Sequence, residues 1–229
     1  MRSHGGIEME ILLVRHGEPV TLVSEDGPVD PHLTERGLWQ AERLGAWLAH
    51  EAIDHVVASN KTRAIQTAAP AAARLGLETE IVPDLAEIDR NSRIYASPAV
   101  LAERFPDYFA AMQAGEYEKI GWDSYEDFQA RVLRGWDDLV AQPRGERVLV
   151  ACHGGTIGVI LSHVIGASSH AIFDSTPYAS VTRLLLVAGH ARVRTLHEVA
   201  HFDGERLTAH GVEGPPGIQG AQGESDPSS

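Results

Sequence analysis

The sequence predicts an α/β fold: a three-layer sandwich with a mostly parallel central sheet, helices on both faces and a small helical cap. First, short apolar runs alternate with longer segments whose apolar residues recur at helical spacing. Strands that alternate with helices form mostly parallel sheets covered on both faces. Second, 229 residues with 43% hydrophobic content can bury one substantial core. Third, an irregular segment at about 90–122 interrupts the alternation, and we expect it to form the cap.

The first half of the chain contains three predicted strands and two predicted helices. In chain order they are a strand at 9–14, a helix capped by Thr34 that runs to about 50, a strand at 55–58, a helix at about 61–75 and a strand at 78–82. The segment 15–33 is rich in Pro, Gly and Asp, and long loops of this kind in compact domains are often functional. Pro70 weakens the prediction of the second helix, because proline lacks the backbone N–H that a helix interior uses.

The second half opens with turn residues and scattered aromatic residues, among which two short helices are predicted around 99–104 and 108–114. Ser124 then caps a longer helix with a clear apolar face. That face contains Phe128, Val132, Trp136 and Leu139. The remaining predicted elements are a strand at 147–152, a helix at 155–165 and two closing strands at 181–187 and 192–197.

We expect the domain to span 9–210. It follows a flexible N-terminus at 1–8 and precedes a tail at 211–229, which we predict to be disordered because Gly, Pro, Gln and Ser dominate it. Residues 1–9 lack the apolar stretch of a signal peptide. No run approaches the roughly 18 apolar residues of a membrane span. These features predict a cytoplasmic protein without a membrane partner.

The net charge and the cysteine count argue against several classes of function. A formal charge of -13 argues against nucleic acid or an anionic membrane as the main partner, so a local positive pocket must attract any anionic substrate. The single cysteine, Cys152, allows no intrachain disulfide and no cysteine cluster for a metal. His190, His197 and His201 are interpreted as residues of the closing strands and a turn rather than as a metal site. We expect neither a metal nor a cofactor, and the sequence leaves open whether the chain forms a homodimer.

Reactive side chains follow four of the predicted strands. Arg15 and His16 follow the first strand, Arg63 begins the helix after the second, Glu87 follows the third, and His153 follows the strand at 147–152. In open α/β sheets, ligands bind outside the carboxyl ends of the strands, so these residues are expected to converge if the strands are neighbours. An imidazole with an ordinary pKa of about 6.5 is largely unprotonated at neutral pH and can act as a nucleophile. Guanidinium groups bind phosphate oxygens in pairs. The pattern therefore predicts chemistry on a phosphate group.

Four sequence blocks resemble the histidine phosphatase superfamily, also called phosphoglycerate mutase-like. The blocks are LVRHGE at 13–18, ASNKTRAIQTA at 58–68, LAEI at 85–88 and CHGG at 152–155. The intervening LTERG at 33–37 also looks like the usual entry to the first helix of the family. The resemblance spans roughly 9 to 200, and four blocks in this order are highly specific.

The resemblance implies roles for five residues of this chain. His16 would attack phosphorus and form a phosphohistidine. Arg15, Arg63 and His153 would hold the phosphoryl oxygens. Glu87 would protonate the leaving oxygen and then accept a proton from the water that hydrolyses the intermediate. Two arginines and a protonatable His153 would stabilise the transferred phosphoryl group without a metal.

Other residues near these blocks are also candidates. Gly17 is expected to let the backbone pass close to the substrate, and Gly154 and Gly155 open a helix whose N-terminus could add amide donors. Asp89 is the alternative general acid to Glu87. Two further groups either line the pocket or belong to ordinary loops. They are Arg90, Asn91, Arg93 and Tyr95 after Glu87, and Tyr178 and Ser180 before the closing strands.

The activity that the resemblance implies is metal-independent hydrolysis of a small phosphorylated substrate by a histidine acid phosphatase-type phosphomonoesterase. The first alternative is a phosphoglycerate mutase-type phosphomutase. Against it, Leu22 stands where some members, notably mutases, carry Asn, and the segment 97–122 contains only Arg104 and Lys119 as basic residues. The chain also lacks the Gly-x-Trp-x-Gly run common after the acid, so substrate contacts made by that run are not expected. The second alternative is a non-enzymatic module that binds a phosphorylated ligand or a partner.

Overall fold

The computed structural model describes residues 7–142, 144–167, 176–205, 207–208 and 211–212. Within these residues the chain forms strands, α-helices and short 3-10 turns. The strands are β1 (Ile7–Arg15), β2 (Leu22–Val23), β3 (His55–Ala58), β4 (Thr79–Ile81), β5 (Ile94–Tyr95), β6 (Arg147–Cys152), β7 (Val181–Val187), β8 (His190–Glu198), β9 (Leu207–Thr208) and β10 (Gly211–Val212). The helices are α1 (Glu35–Leu48), α2 (Thr62–Leu75), α3 (Pro98–Arg104), α4 (Pro106–Gln113), α5 (Tyr125–Ala141) and α6 (Gly154–Ile165).

The central sheet contains six strands in the order β4-β3-β6-β1-β7-β8. The first four of these are parallel to one another, whereas β7 is antiparallel to β1 and β8 is antiparallel to β7. The predicted mostly parallel sheet is thus confirmed. In the register of the parallel strands, Arg15 pairs with Cys152 and Ala58 pairs with Ala151. The residues that follow β1, β3 and β6 therefore meet at one edge of the sheet.

Helices cover both faces of the sheet. Successive side chains of a strand point to opposite faces, so β1 contributes to the core on each side. Ile11 and Leu13 of β1 belong to the core cluster that also contains residues of α5 and α6. Leu12 and Val14 belong to the second cluster, on the face covered by α1 and α2. Every one of these four β1 side chains is buried. The three-layer arrangement predicted from the sequence is confirmed.

Helix α2 continues through Pro70, which the sequence pattern marked as a weak point. The proline ring lies against α1, where a Cβ at Gly45 would be only 2.8 Å from the Cβ of Pro70. On the solvent side, Arg74 Nη1 donates a hydrogen bond of 3.0 Å to the Pro70 carbonyl oxygen. Tertiary packing against α1 therefore outweighs the local cost of a proline inside the helix.

The region predicted as a cap contains α3, α4 and a 3-10 turn at Tyr117–Ile120. Helix α3 begins at Pro98, one residue before its predicted start, and α4 begins at Pro106, two residues before its predicted start. Proline suits the first position of a helix because the N–H that it lacks would have no partner within the helix. Strand β5 pairs antiparallel with β2, so the long loop after β1 is joined to this region. Tyr108 links the region internally, because its hydroxyl lies 2.7 Å from Ser92 Oγ and accepts a 2.6 Å bond from Trp122 Nε1.

The first and last described strands extend beyond the predicted boundaries of the domain. Strand β1 begins at Ile7, two residues before the predicted start of the domain at 9. Strand β10 pairs with β9, so Gly211 and Val212, the first two residues of the predicted disordered tail, form a strand. Residues 213–229, where the rest of the predicted tail falls, lie outside the described residues. Among the described helices, none has both the length and the apolar character needed to cross a membrane.

Candidate active site

The two predicted site histidines lie side by side at the carboxyl ends of neighbouring strands. His16 follows β1 and His153 follows β6, and the centroids of their rings are 5.1 Å apart. The backbone N–H of His16 donates a 2.9 Å hydrogen bond to the carbonyl oxygen of Cys152, which continues the β1–β6 ladder by one residue. The parallel pairing of these strands therefore brings together two residues that are distant in sequence.

The imidazole of His16 is buried, with 2% of the residue exposed, and its orientation is fixed. Nδ1 lies 2.7 Å from the carbonyl oxygen of Gly17, so Nδ1–H is the donor and Nε2 carries the lone pair. Burial lowers the pKa of His16 well below its ordinary value, and the positive charges of Arg63 and Arg15 lower it further. The ring is therefore neutral at neutral pH, with Nε2 free to act as a nucleophile.

Gly17 is explained by packing against the N-terminal turn of α1. A Cβ at this position would lie 2.7 Å from the carbonyl oxygen of Gly37, closer than real Cβ contacts. The N–H of Gly17 donates a 2.9 Å hydrogen bond to Thr67 Oγ1, while its carbonyl oxygen orients His16. Gly17 thus positions the histidine. Direct contact between Gly17 and a substrate stays a prediction.

The two predicted phosphate-binding arginines are held in different ways. Arg15, at the end of β1, donates from Nη1 to the carbonyl oxygen of Thr176, and its Cζ lies 4.0 Å from the centroid of the Tyr178 ring. Arg63, near the start of α2, is 1% exposed, and its Cζ lies 4.6 Å from the centroid of the Tyr95 ring. The buried Nε atoms of both arginines have no hydrogen-bond partner among the described residues. Each guanidinium therefore has a donor that no described residue uses.

Asp89, the alternative general acid, is engaged by Arg63. Nη2 of Arg63 lies 3.1 Å and 3.3 Å from the two carboxylate oxygens of Asp89. Charge-assisted bonds of this kind are short and strong. Asp89 therefore holds Arg63 in place, and the choice between Glu87 and Asp89 as the general acid stays a prediction.

The carboxyl group of Glu87 occupies a small space at the N-terminus of α6. Oε2 accepts a 2.8 Å hydrogen bond from the N–H of Gly155, and Oε1 accepts a 2.9 Å bond from the N–H of Ile88. Burial raises the pKa of Glu87, and the negative charge of Asp89 raises it further. A carboxyl group with a raised pKa can hold a proton and release it to a leaving oxygen. Because Gly155 already donates to Glu87, its N–H is not available to a substrate as the sequence suggested.

Arg131 holds the backbone segment that carries Glu87. Its Nη1 donates to the carbonyl oxygens of Asp84 and Ala86 at 3.0 Å and 2.8 Å, and its Nη2 donates to that of Glu87 at 3.1 Å. Nη2 also lies 2.9 Å from Asp123 Oδ2, and both side chains are buried. This arginine was not among the predicted site residues. Its signal in the sequence was a charge on the buried face of α5, three residues after Phe128.

Ser59 and Lys61 are two further buried residues, which belong to one of the predicted motif blocks but had no predicted role. Ser59 Oγ lies 2.7 Å from Nε2 of His153, whose Nδ1 has no partner among the described residues. Lys61 Nζ donates a 3.2 Å hydrogen bond to the carbonyl oxygen of Arg90. Burial lowers the pKa of His153 well below its ordinary value, and the positive charges of Arg63, Lys61 and Arg15 lower it further. His153 is therefore neutral before a phosphate binds.

Four of the remaining candidate residues fall into two groups, and Ser180 Oγ donates a 2.7 Å hydrogen bond to the carbonyl oxygen of Pro177. Tyr95 and Tyr178 contact the site arginines, as described above. Arg90 and Arg93 instead contact other parts of the protein: Arg90 Nε lies 2.8 Å from Asp123 Oδ1, and Arg93 Nη1 donates to the carbonyl oxygen of Glu25 at 2.9 Å. In the part of the chain that the structure describes, no group of three His, Cys, Asp or Glu side chains is arranged to hold a metal ion.

Comparison with known families and curated proteins gives consistent matches. The family model described as Histidine phosphatase superfamily (branch 1) matches residues 11–199. The bifunctional protein Rv2228c of Mycobacterium tuberculosis is 32% identical over 174 residues, which cover 73% of this chain and 47% of that protein. The probable phosphoglycerate mutase GpmB of Erwinia tasmaniensis is 28% identical over 167 residues, which cover 71% of this chain and 78% of that protein. The chain thus matches about half the length of the first of these relatives.

Solved structures share the fold. A putative alpha-ribazole-5'-P phosphatase from Escherichia coli superimposes with a TM-score of 0.70 and 24% identity, covering 83% of this chain and 97% of that chain. The mycobacterial glucosyl-3-phosphoglycerate phosphatase Rv2419c gives a TM-score of 0.64 and 21% identity, covering 83% and 99% of the two chains. At these levels of identity the likeness concerns the fold alone.

Proposed function

The chain belongs to the histidine phosphatase superfamily, branch 1, and from this membership we propose that it hydrolyses a small-molecule phosphomonoester through a phosphohistidine on His16. One observation carries the proposal. A buried neutral imidazole, fixed through Nδ1, lies beside a second histidine and near two arginines that retain free donors. This arrangement suits phosphoryl transfer, in which the protein mainly positions the groups and stabilises charge.

In the first step, Nε2 of His16 attacks phosphorus and the bond from phosphorus to the ester oxygen breaks. Glu87 donates its proton to that oxygen, so the alcohol leaves in its neutral form. Arg15 and Arg63 hold the phosphoryl oxygens, together with Nδ1 of His153, which is the nitrogen not bonded to Ser59. Their donors balance the negative charge that the phosphoryl group carries during transfer.

In the second step, the Glu87 carboxylate accepts a proton from water while the water oxygen attacks phosphorus. The phosphorus–nitrogen bond breaks, which returns His16 to its neutral form and releases inorganic phosphate. Glu87 is then protonated again and ready for the next cycle. One carboxyl group therefore serves first as acid and then as base.

A phosphomutase would use the same first step but would retain a bisphosphorylated intermediate and exclude water. Such a pocket needs additional cations in the cap. The two basic residues of the segment 97–122 make other contacts, since Lys119 pairs with Glu116 at 2.8 Å on the surface and the Cζ of Arg104 lies 5.7 Å from the centroid of the Phe105 ring. Hydrolysis is therefore the function that these contacts favour.

The test is release of phosphate from a panel of phosphomonoesters in the presence of EDTA, combined with trapping of the phosphorylated protein by rapid alkaline quench, because a phosphorus–nitrogen bond survives base but not acid. His16→Ala should abolish both release and labelling. The matched control is His190→Ala, since His190 is an exposed histidine on β8 and should leave both unchanged. Labelling that survives in His16→Ala would mean that another residue is the nucleophile.

A further inference from the structure

Two tyrosines from different parts of the fold lie against the two site arginines. Tyr178, in the turn before β7, contacts Arg15 at 4.0 Å from Cζ to ring centroid, and its ring centroid lies 5.6 Å from that of His16. Tyr95, on β5, contacts Arg63 at 4.6 Å. Both tyrosines are half-buried. Burial raises the pKa of Tyr95 and the positive charge of Arg63 opposes this rise, as expected for a phenol close to a guanidinium group.

The backbone fixes both tyrosines in place. Tyr95 pairs with Leu22 in the β2–β5 ribbon. On the other side, Ala179 adopts a left-handed conformation with φ of 53°, and its N–H donates a 3.2 Å hydrogen bond to the carbonyl oxygen of His16. A non-glycine residue in this conformation persists only when its surroundings hold it there. Backbone contacts therefore hold both tyrosine rings in position beside the site residues.

The other cations near the site residues are already occupied. Lys61 Nζ donates to the carbonyl oxygen of Arg90, and Arg90 itself pairs with Asp123. Arg36 is the neighbour of Gly37, which packs on Gly17, and its Nη1 lies 3.4 Å from Glu18 Oε2. The segment 168–175 lies outside the described residues, and its sequence contains no lysine or arginine. Within the described residues, a carboxylate or second phosphate on the substrate would thus meet the tyrosine rings, while Lys61, Arg90 and Arg36 already have partners.

On the basis of the proposed function, we infer that Tyr95 and Tyr178 form an aromatic mouth that contacts the leaving group, and that the preferred substrate is the phosphomonoester of an uncharged alcohol carrying an aromatic ring. Aromatic side chains offer a large apolar surface that is complementary to another ring. A carboxylated leaving group would lose hydration at this mouth without gaining a cationic partner. The preference applies only to the part of the substrate beyond the phosphate.

The experiment compares three primary-alcohol phosphates: 2-phenylethyl phosphate, n-butyl phosphate and 3-phosphoglycerate. Their leaving oxygens are chemically similar, so differences in kcat/KM report contacts beyond the phosphate. We expect the phenylethyl ester to be preferred over each of the others by about tenfold or more, the scale of an apolar pocket contact. A preference for 3-phosphoglycerate, or equal kcat/KM for all three, would overturn the inference.

Variants separate contact with the leaving group from support of the arginines. Tyr95→Leu and Tyr178→Leu should lower kcat/KM for 2-phenylethyl phosphate about tenfold and for n-butyl phosphate about twofold or less. Tyr95→Phe keeps the ring and should keep the preference. Tyr117→Leu is the control, because Tyr117 stacks on Trp122 in the cap and does not contact either arginine. Equal losses on both substrates would show that the tyrosines only hold the arginines.

Binding of non-hydrolysable phosphonates tests the mouth independently of turnover. Calorimetry should give tighter binding of 3-phenylpropylphosphonate than of n-pentylphosphonate, and Tyr95→Leu should remove the difference. If this preference is found without hydrolysis of any ester, the mouth stands and the proposed hydrolytic function fails. If hydrolysis is found and the phosphonates bind equally, the proposed function stands and the mouth fails.

Discussion

Glu87 and Gly155 fit each other so closely that a side chain at position 155 would displace the carboxyl group of Glu87. The N–H of Gly155 donates to Oε2 of Glu87 at 2.8 Å, and a Cβ at position 155 would lie 2.4 Å from Oε1. The first turn of α6 therefore both binds the carboxyl group and leaves room for it. A glycine that seemed from sequence to serve the substrate instead serves the proposed acid.

We predict that Gly155→Ala displaces the Glu87 carboxyl group and lowers kcat by about a hundredfold, the scale of general acid catalysis. The stability of the fold should change much less, because alanine is a better helix former than glycine. Gly27→Ala is the control, since a Cβ at position 27 would have nothing within 4 Å. Steady-state kinetics and thermal melts of both variants check this. Equal activity of the two variants would mean that the Glu87 position is not critical.

We predict that Glu87→Gln lowers kcat for alkyl phosphates by about a hundredfold or more. The proposed acid must be protonated in the first step, so wild-type activity should fall as pH rises through the raised pKa of Glu87. The variant should lack this fall. The loss of kcat/KM, which reports the first step, should be far smaller on 4-nitrophenyl phosphate, whose leaving group departs without a proton.

Asp89→Asn separates the two candidate acids in the same assay. Asp89 holds Arg63, so its loss should raise KM. The alkaline fall in activity should persist but move to lower pH, because the charge of Asp89 no longer raises the pKa of Glu87. If Asp89→Asn removed the alkaline fall and Glu87→Gln kept it, the roles assigned to the two acids would have to be exchanged.

Arg131→Met should destabilise the protein by about 3 to 5 kcal/mol, because it leaves the Asp123 charge buried with one partner fewer and frees three carbonyl oxygens. Urea unfolding measures the change. The double variant Arg131→Met/Asp123→Asn should recover part of the loss, since the unpaired charge is removed. A single-variant loss below about 1 kcal/mol would be no more than a surface ion pair contributes and would contradict this account.

His201 should make stability depend on pH. It is 4% exposed, its ring lies 4.1 Å from that of Phe202 and 5.5 Å from that of Trp47, and burial lowers its pKa from 6.5 to about 4. The unfolded chain therefore binds this proton first as pH falls. The stabilising contribution is complete above pH 6.5 and is lost between pH 6.5 and about 4, by at most about 3 kcal/mol.

Melting temperatures across that pH range, for the wild type and His201→Gln, check this prediction. Buried His16 and His153 act in the same direction in both proteins, so the difference between the two curves reports His201. Parallel curves would show that His201 does not contribute.

The sequence predicted the sheet and the convergence of the site because both depend on local patterns. Apolar runs mark the strands, and His16 and His153 follow two of them directly. The contacts of Arg131 with the Glu87 segment were not predictable in this way, because they join α5 to a loop 44 or more residues earlier. The packing of Gly17 against Gly37 was not predictable either, because the two glycines belong to different elements. A contact between two distant segments does not alter the spacing of apolar residues, so the sequence pattern does not reveal it.

The order of strands in the sheet differs from their order along the chain. β6 lies between β3 and β1, although it is made after both. During synthesis, the parallel core therefore cannot close until the segment through Cys152 has been made. Until then, the edges of β1 and β3 that pair with β6 stay unpaired. Only at that stage does His153 reach His16. A nascent or truncated chain that ends before β6 lacks His153, so the two imidazoles come together only when the parallel core is complete.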